Sequence, residues 1–230
     1  TNRGDSWINM TNRILENGTR PIEFIYQAPS DPNILIAGYY DDSFNSFLKK
    51  SIDGGQTWTS ITKPSSVVFS SVLTNIAFHP HDPNTMWMIG NGLVSKTTNG
   101  GMTWTPVPGT LPNFDLLSIA YQEGTNNGFY VSTSLGNIWY HDDNINDYVL
   151  YENNLPNIRT TEIEVLPHIN KIRAATWGRG SWESPLHTSS TNLCNKPAPP
   201  IIAYTVCATS SMMTIGAAPS GYNIIWEKNG

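Results

Sequence analysis

The chain has 230 residues, of which 39% are hydrophobic and 13% charged, and a formal net charge of −5. A net acidic chain lacks the basic stripe that nucleic-acid binding needs, and no apolar run in it is long enough to span a membrane. Neither a nucleic-acid partner nor a membrane span is expected.

In chain order, the first recognisable feature is Thr1-Asn2-Arg3-Gly4-Asp5-Ser6-Trp7. It is a shortened copy of an eight-residue pattern, Ser/Thr-x-Asp/Asn-x-Gly-x-Thr/Ser-Trp. Full copies stand at Ser51-Ile52-Asp53-Gly54-Gly55-Gln56-Thr57-Trp58 and Thr97-Thr98-Asn99-Gly100-Gly101-Met102-Thr103-Trp104. The three tryptophans lie about 50 residues apart, a period that marks an array of like units such as propeller blades.

The units extend beyond this turn. Ile25 to Gly38 reads strand, polar turn, strand, with Asp31-Pro32-Asn33 as the turn. Proline presets φ there, while Asp and Asn bond nearby backbone. Ile76–Gly90, Ile119–Val131 and Ile163–Ala175 repeat the pattern. A third strand follows at residues 46–50 and 93–96. The Asp-Gly-Gly or Asn-Gly-Gly turn comes next, its glycines supplying the positive φ of a tight hairpin. The Thr-Trp pair then opens a fourth strand. In the third unit, Tyr140 to Tyr148 keeps a polar turn and an aromatic but loses Gly-Gly and Thr-Trp. Asp142 and Asp143 are expected in a solvated turn there. Trp177-Gly178-Arg179-Gly180-Ser181-Trp182 leads to a last strand, and Arg179 is expected to close the ring against the first blade.

The expected fold is therefore all-β: a partial β-propeller of about four four-stranded blades over residues 1–187, truncated at its N-terminal side. Residues 188–200, rich in Ser, Thr, Asn and Pro, read as a linker. Residues 201–230 read as short strands in which Cys207 precedes Trp226 and an Asn-Gly turn. Cys194 and Cys207 are compatible with one bridge or with two separate thiols.

Among candidate site residues, those of the octapeptides are assigned to structure: Asp53, Gly55, Thr57 and Trp58 in one copy, Asn99, Gly101, Thr103 and Trp104 in the other. Asn at the Asp position has no acid to donate. The loop holding Tyr39, Tyr40, Asp41 and Asp42 combines aromatic faces with acceptors, the pairing that suits a sugar, and is the candidate ligand-binding loop. No matched acid and base stand out, so catalytic residues are left unassigned. His79, His81, His141, His168 and His187 lack metal-ligand spacing; no metal or cofactor is expected, and His79 and His81 read as turn residues.

The octapeptide resembles the Asp-box, or BNR repeat, of sialidases, sortilin-type receptors, xyloglucanase-type glycoside hydrolases and photosystem assembly factors, all β-propellers. Leu117 to Leu186, with Ile119-Ala120-Tyr121-Gln122-Glu123-Gly124, Asn154-Leu155-Pro156-Asn157 and Arg173-Ala174-Ala175-Thr176-Trp177-Gly178-Arg179-Gly180-Ser181-Trp182, is similar to the closing blades of secreted BNR-repeat proteins of Bacteroidetes. Residues 201–230 resemble the start of an Ig-like module. The resemblance implies a monomeric piece of a secreted protein at the cell surface or outside the cell. Its implied role is non-catalytic binding of a polysaccharide or cell-surface protein. The alternative it implies is the C-terminal half of a glycoside hydrolase, xyloglucanase- or sialidase-like. The arginines are not preceded by the Phe/Tyr-Arg-Ile-Pro start that sialidases carry.

Overall fold

The computed structural model describes residues 6–15, 22–41, 43, 45–65, 75–151, 154–188, 202–207 and 210–215. The chain divides into two compact units, Thr1–His187 and Thr188–Gly230. In the second unit, β16 (Ile202–Cys207) and β17 (Ser210–Ile215) form an antiparallel hairpin. Cys194 and Trp226 lie outside the described residues.

The first unit is built from four antiparallel sheets in sequence order. The first contains β1 (Ile22–Ala28), β2 (Asp31–Tyr40), β3 (Ser46–Ser51) and β4 (Thr59–Ile61). The second contains β5 (Ile76–Phe78), β6 (Met86–Gly90), β7 (Leu93–Thr97) and β8 (Thr105–Pro106). The third contains β9 (Leu116–Gln122), β10 (Gly128–Thr133), β11 (Ile138–His141) and β12 (Val149–Leu150). The fourth contains β13 (Thr160–Leu166), β14 (Lys171–Thr176) and β15 (Gly180–Pro185). Where the repeat predicts a fourth strand in this last sheet, the described residues hold three, followed by Leu186 and His187. A single helical turn, α1 (Thr11–Ile14), precedes β1. In each sheet every strand pairs with the next in the chain, so the units are simple meanders.

Period-two alternation explains how the sheets stack. Both faces of an inner strand are covered, so alternate residues feed alternate interfaces. Along β6, Met86 and Met88 pack with Ile34, Ile36 and Leu48 of the first sheet. Trp87 and Ile89 turn the other way and pack with Phe129 and Val131 of the third. Tyr130, Ile138 and Tyr140 of the third sheet pack with Ile172 and Ala174 of the fourth. The run ends there. The other face of the fourth sheet carries Arg173, whose Nε lies 3.0 Å from Glu183 Oε2, and Lys171, which also bonds Glu183.

The first strands are innermost. β5 neighbours β9, and β9 neighbours β13. A cavity of about 300 Å³ is lined by residues of the first strand or first turn of every sheet, from Pro29 through Ala77, Ile119 and Ile163. Radial sheets around a shared axis are the arrangement of a β-propeller, and this unit is a partial one.

One backbone contact recurs in all four units. Gly54 N donates to Asn33 O at 3.0 Å, Gly100 N to Asn84 O at 2.9 Å, Asp143 N to Asn126 O at 2.9 Å and Leu186 N to Asn170 O at 3.1 Å. Each bond ties the turn after a third strand to the start of the second strand or the turn just before it. The fourth unit thus keeps the start of the repeat's turn before the chain departs.

Candidate functional site

A meander places its first and third turns at one end of the sheet and its second turn, with the link to the next sheet, at the other. The octapeptides are third turns. Asp53 Oδ1 accepts from the backbone N of Gln56 and Thr57, both at 2.9 Å, and from Ser51 Oγ at 2.8 Å; Asp53 Oδ2 accepts from Thr57 Oγ1 at 2.6 Å. The bonds from the Thr57 side chain, then from its backbone and from Ser51, hold the Asp53 pKa down at about 2. Asn99 does the same work with a different sense: its Oδ1 accepts from Thr103 N at 2.9 Å while its Nδ2 donates to Thr103 Oγ1 at 2.8 Å. Gly55 and Gly101 have φ of +88° and +89°. Trp58 Nε1 donates to Gly55 O at 3.1 Å, and Trp104 Nε1 reaches back to Thr62 O of the first sheet at 2.9 Å.

The third turn of the third sheet, His141 to Tyr148, has the octapeptide's length without its Gly-Gly or Thr-Trp. Tyr148 stands where Trp104 does and packs into the interface of the second and third sheets. Asp147, in the Thr103 position, accepts from Thr110 N of the second sheet at 2.6 Å. Asp142 corrects the expectation of a solvated turn: it is fully buried, accepting from Tyr140 Oη at 3.0 Å and Asn144 N at 2.8 Å. Burial follows from the inward hydroxyl of Tyr140, which holds the carboxylate beneath the turn. Among the first turns at this end, His79 Nδ1 accepts from the backbone N of His81 and Asp82 at 3.2 and 3.1 Å, an ordinary turn role. His81 Nε2 lies 2.6 Å from Glu123 Oε1 of the next sheet.

The candidate ligand loop, residues 39–45, lies at the opposite end. Tyr39 is buried and stacks on Phe47 with ring centroids 5.3 Å apart, so its ring belongs to the packing beneath the loop. Tyr40 and Asp41 are half-buried at its rim. Asp41 Oδ1 accepts from Ser43 N at 2.8 Å and Asn45 N at 2.9 Å, and its Oδ2 accepts from Asn45 Nδ2 at 2.9 Å. Both carboxylate oxygens are thus used to shape the loop. Asp42 lies outside the described residues.

Trp177 shares this end, on the turn between β14 and β15, and is 69% exposed with its backbone N bonded to Arg159 O. Sequence reasoning placed it in a ring-closing turn beside Arg179 and did not single it out as a ligand contact. Its exposure depends on which way a Gly-flanked turn points, which residue types alone do not encode. Arg179 is itself exposed, and its carbonyl accepts from Trp182 Nε1 at 3.0 Å. Glu162 and Glu164, two apart on β13, are both exposed.

No family model matches the chain, and no curated protein does. Solved structures with the same fold include a GH74 enzyme of Niastella koreensis, at 17% identity and a TM-score of 0.56 over 67% of this chain and 26% of that one. An ancestral GH74 enzyme matches at 20% identity and a TM-score of 0.60, over 76% of this chain and 27% of that one. YCF48 from Cyanidioschyzon merolae matches at 12% identity and a TM-score of 0.49, over 85% and 71%. The class is that of β-propellers, and at these identities the likeness is one of fold. The chain covers 26% and 27% of the lengths of the two GH74 enzymes.

Proposed function

We propose that this chain belongs to an extracellular, non-catalytic propeller of the Asp-box type that binds a polysaccharide or a cell-surface protein. The observation that carries this reading is the engagement of Asp41. A carboxylate whose two oxygens accept three bonds from its own loop holds a shape and is poorly placed to shuttle protons. Asp53, kept near a pKa of about 2, stays ionised at neutral pH and is equally unsuited to act as an acid. What remains is Tyr40 and Asp41 at the rim of their own loop, over the buried ring of Tyr39, and, on the fourth sheet, the exposed ring of Trp177. Aromatic faces and fixed acceptors suit sugar rings and hydroxyls. Residues 201–230 would serve as an Ig-like spacer after the propeller.

A second reading makes the chain one part of a glycoside hydrolase whose acid and base lie on other blades. It is supported by the fold shared with the two GH74 enzymes, and by the short span this chain covers of each.

Titration with xyloglucan, laminarin and sialyl-lactose, followed by tryptophan fluorescence, tests the first reading. A saturable change weakened by the Tyr40→Ala/Asp42→Ala double variant is expected. Binding untouched by that variant, or none of the three ligands binding, would remove the loop from consideration.

A further inference from the structure

Three Asn-Gly pairs fall among the described residues: Asn91-Gly92, Asn99-Gly100 and Asn127-Gly128. In such a pair the glycine nitrogen can attack the side-chain carbonyl carbon of the asparagine, because no Cβ on the second residue hinders the approach. Two conditions govern the reaction. The glycine nitrogen must be free of an acceptor, and the carboxamide must be free to turn toward it. Hydrogen bonding separates the three pairs on both counts.

Asn99 is exposed, yet both polar atoms of its side chain are held. Its Oδ1 accepts from Thr97 Oγ1 and Thr103 N, both at 2.9 Å, and its Nδ2 donates to Thr103 Oγ1 at 2.8 Å. Gly100 N is committed to Asn84 O at 2.9 Å. Asn127 is half-buried. Its Nδ2 donates to Asp143 Oδ2 at 2.6 Å, and Gly128 N donates to Thr125 Oγ1 at 2.8 Å. Asn91 differs. It stands in the turn between β6 and β7, where φ is +47° at Asn91 and +73° at Gly92, both positive as a type I′ hairpin turn requires. Gly90 and Leu93 pair across that turn. Asn91 is as exposed a position as Asn99, but among the described residues neither its carboxamide nor Gly92 N has a hydrogen-bond partner. Exposure alone therefore does not separate the pairs; the bonds do.

We propose that, of these three, Asn91 is the site of spontaneous deamidation in the folded chain, and that the bonds around Asn99 and Asn127 protect those two. Gly92 N loses its proton to solvent base and attacks Asn91 Cγ. The N–Cγ bond forms, the Cγ–Nδ2 bond breaks, and the side-chain nitrogen leaves as ammonia. Water then opens the cyclic succinimide. Cleavage of the new N–Cγ bond gives aspartate, and cleavage between Asn91 C and Gly92 N gives isoaspartate. Aspartate keeps the turn, since Asp also tolerates positive φ. Isoaspartate puts an extra carbon into the main chain and disturbs the pairing of Gly90 with Leu93. Either product adds a negative charge to the second turn of its sheet, the turn that in the first sheet is the Tyr40–Asp41 loop.

A time course of the full chain at mildly alkaline pH, read by peptide mapping with mass spectrometry and an isoaspartate assay, tests the proposal. One arm keeps the chain folded and the other holds it in urea. In the folded arm, Asn91 is expected to convert faster than Asn99 and Asn127 by a factor on the order of ten or more, since those two must first break several hydrogen bonds. In urea the three rates are expected to converge. Asn91 remaining an amide in the folded chain would overturn the proposal whatever the urea arm shows. Asn99 or Asn127 converting as fast as Asn91 in the folded chain would overturn it too. So would an order of rates that is the same in both arms, since the neighbouring sequence and not the fold would then set it.

Discussion

Tyr140 and His187 stack with ring centroids 4.0 Å apart and ring planes 23° from parallel. Tyr140 holds the position in β11 that Lys50 holds in β3 and Lys96 in β7, each paired to the buried centre of its second strand. All three reach into the next unit. Lys50 Nζ lies 3.4 Å from Asn84 Oδ1, and Lys96 Nζ lies 3.3 Å from Asp143 Oδ2. The last of these inter-sheet ties is thus aromatic, and it clamps the residue at which the propeller unit ends. Tyr130 Oη, itself bonded to Gln122, accepts from His187 N at 2.6 Å, and Gln122 Nε2 donates to His187 O at 2.9 Å. Tyr151 Oη also bonds Pro185 O.

This clamp should respond to acid. Burial holds the imidazoles of His187 and His141 below the ordinary histidine range, opposed by Asp142 for His187 and by Asp143 and Asp142 for His141. The unfolded chain then takes up protons that the fold refuses. Stability complete above the unfolded histidine value falls as pH drops below it toward the lowered folded values. His187→Phe keeps a ring against Tyr140 and should flatten the dependence of the denaturation midpoint between neutral and mildly acid pH. Equal slopes for variant and parent would show that His187 does not titrate on unfolding.

Asp53 should matter for stability through its bonds and not through its charge alone. Asn99 shows that an amide fills the same position. Asp53→Asn should therefore lower the melting temperature by less than Asp53→Ala, which leaves the backbone N of Gln56 and Thr57 without their acceptor. With a folded pKa of about 2, the carboxylate's own contribution is complete above its ordinary value of 3.8 and is lost as pH falls through about 2. Thermal melts of the two variants at neutral pH decide the first point.

Gly136 is the most constrained turn glycine at the third interface. Its φ is +98°, and a Cβ there would stand 2.3 Å from Ile158 O and 2.4 Å from Ile158 N. Backbone on the far side of the contact has little room to yield. Gly136→Ala should destabilise the propeller unit by about 2 kcal/mol or more, combining positive-φ strain with the clash. Urea denaturation measures it, and a near-neutral result would mean that the link at residues 154–159 can move away.

Trp104 ties two sheets together through its indole bond to Thr62 O and its packing in the first cluster. A fully buried aromatic truncated to alanine loses about 3–5 kcal/mol. Trp104 is half-exposed, so Trp104→Ala should cost about 2 kcal/mol. Trp104→Phe, which keeps the packing and drops the indole donor, should cost less in the same denaturation experiment.

Much of this architecture is legible in the residues. The spacing of Trp58 and Trp104 and the Gly-Gly pairs mark the units, and the Asp-Pro-Asn turns mark the first hairpins. The third turn was harder to read, since Tyr148 and Asp147 replace Trp and Thr by other groups able to reach the preceding sheet. That equivalence appears only once Gly109 and Thr110 are seen against them. The burial of Asp142 has no local signal, because it depends on Tyr140 turning its hydroxyl inward. That the last sheet holds three strands among the described residues is not announced by any residue near Pro185. At the loop end, sequence pointed to Tyr39 and Tyr40 equally. Strand alternation then sends Tyr39 into the packing and leaves Tyr40 at the rim, while the exposure of Trp177 on the fourth sheet depends on a turn whose direction residue types do not set.

Reducing-end release from xyloglucan and laminarin, compared between this chain and its Asp41→Asn variant, tests most directly whether the aspartates of this propeller are structural. The account predicts no release above the blank by either protein, with Asp41→Asn affecting only the order of its loop. Release by the parent chain that Asp41→Asn abolishes, with the fold intact by circular dichroism, would contradict it and make Asp41 a catalytic residue.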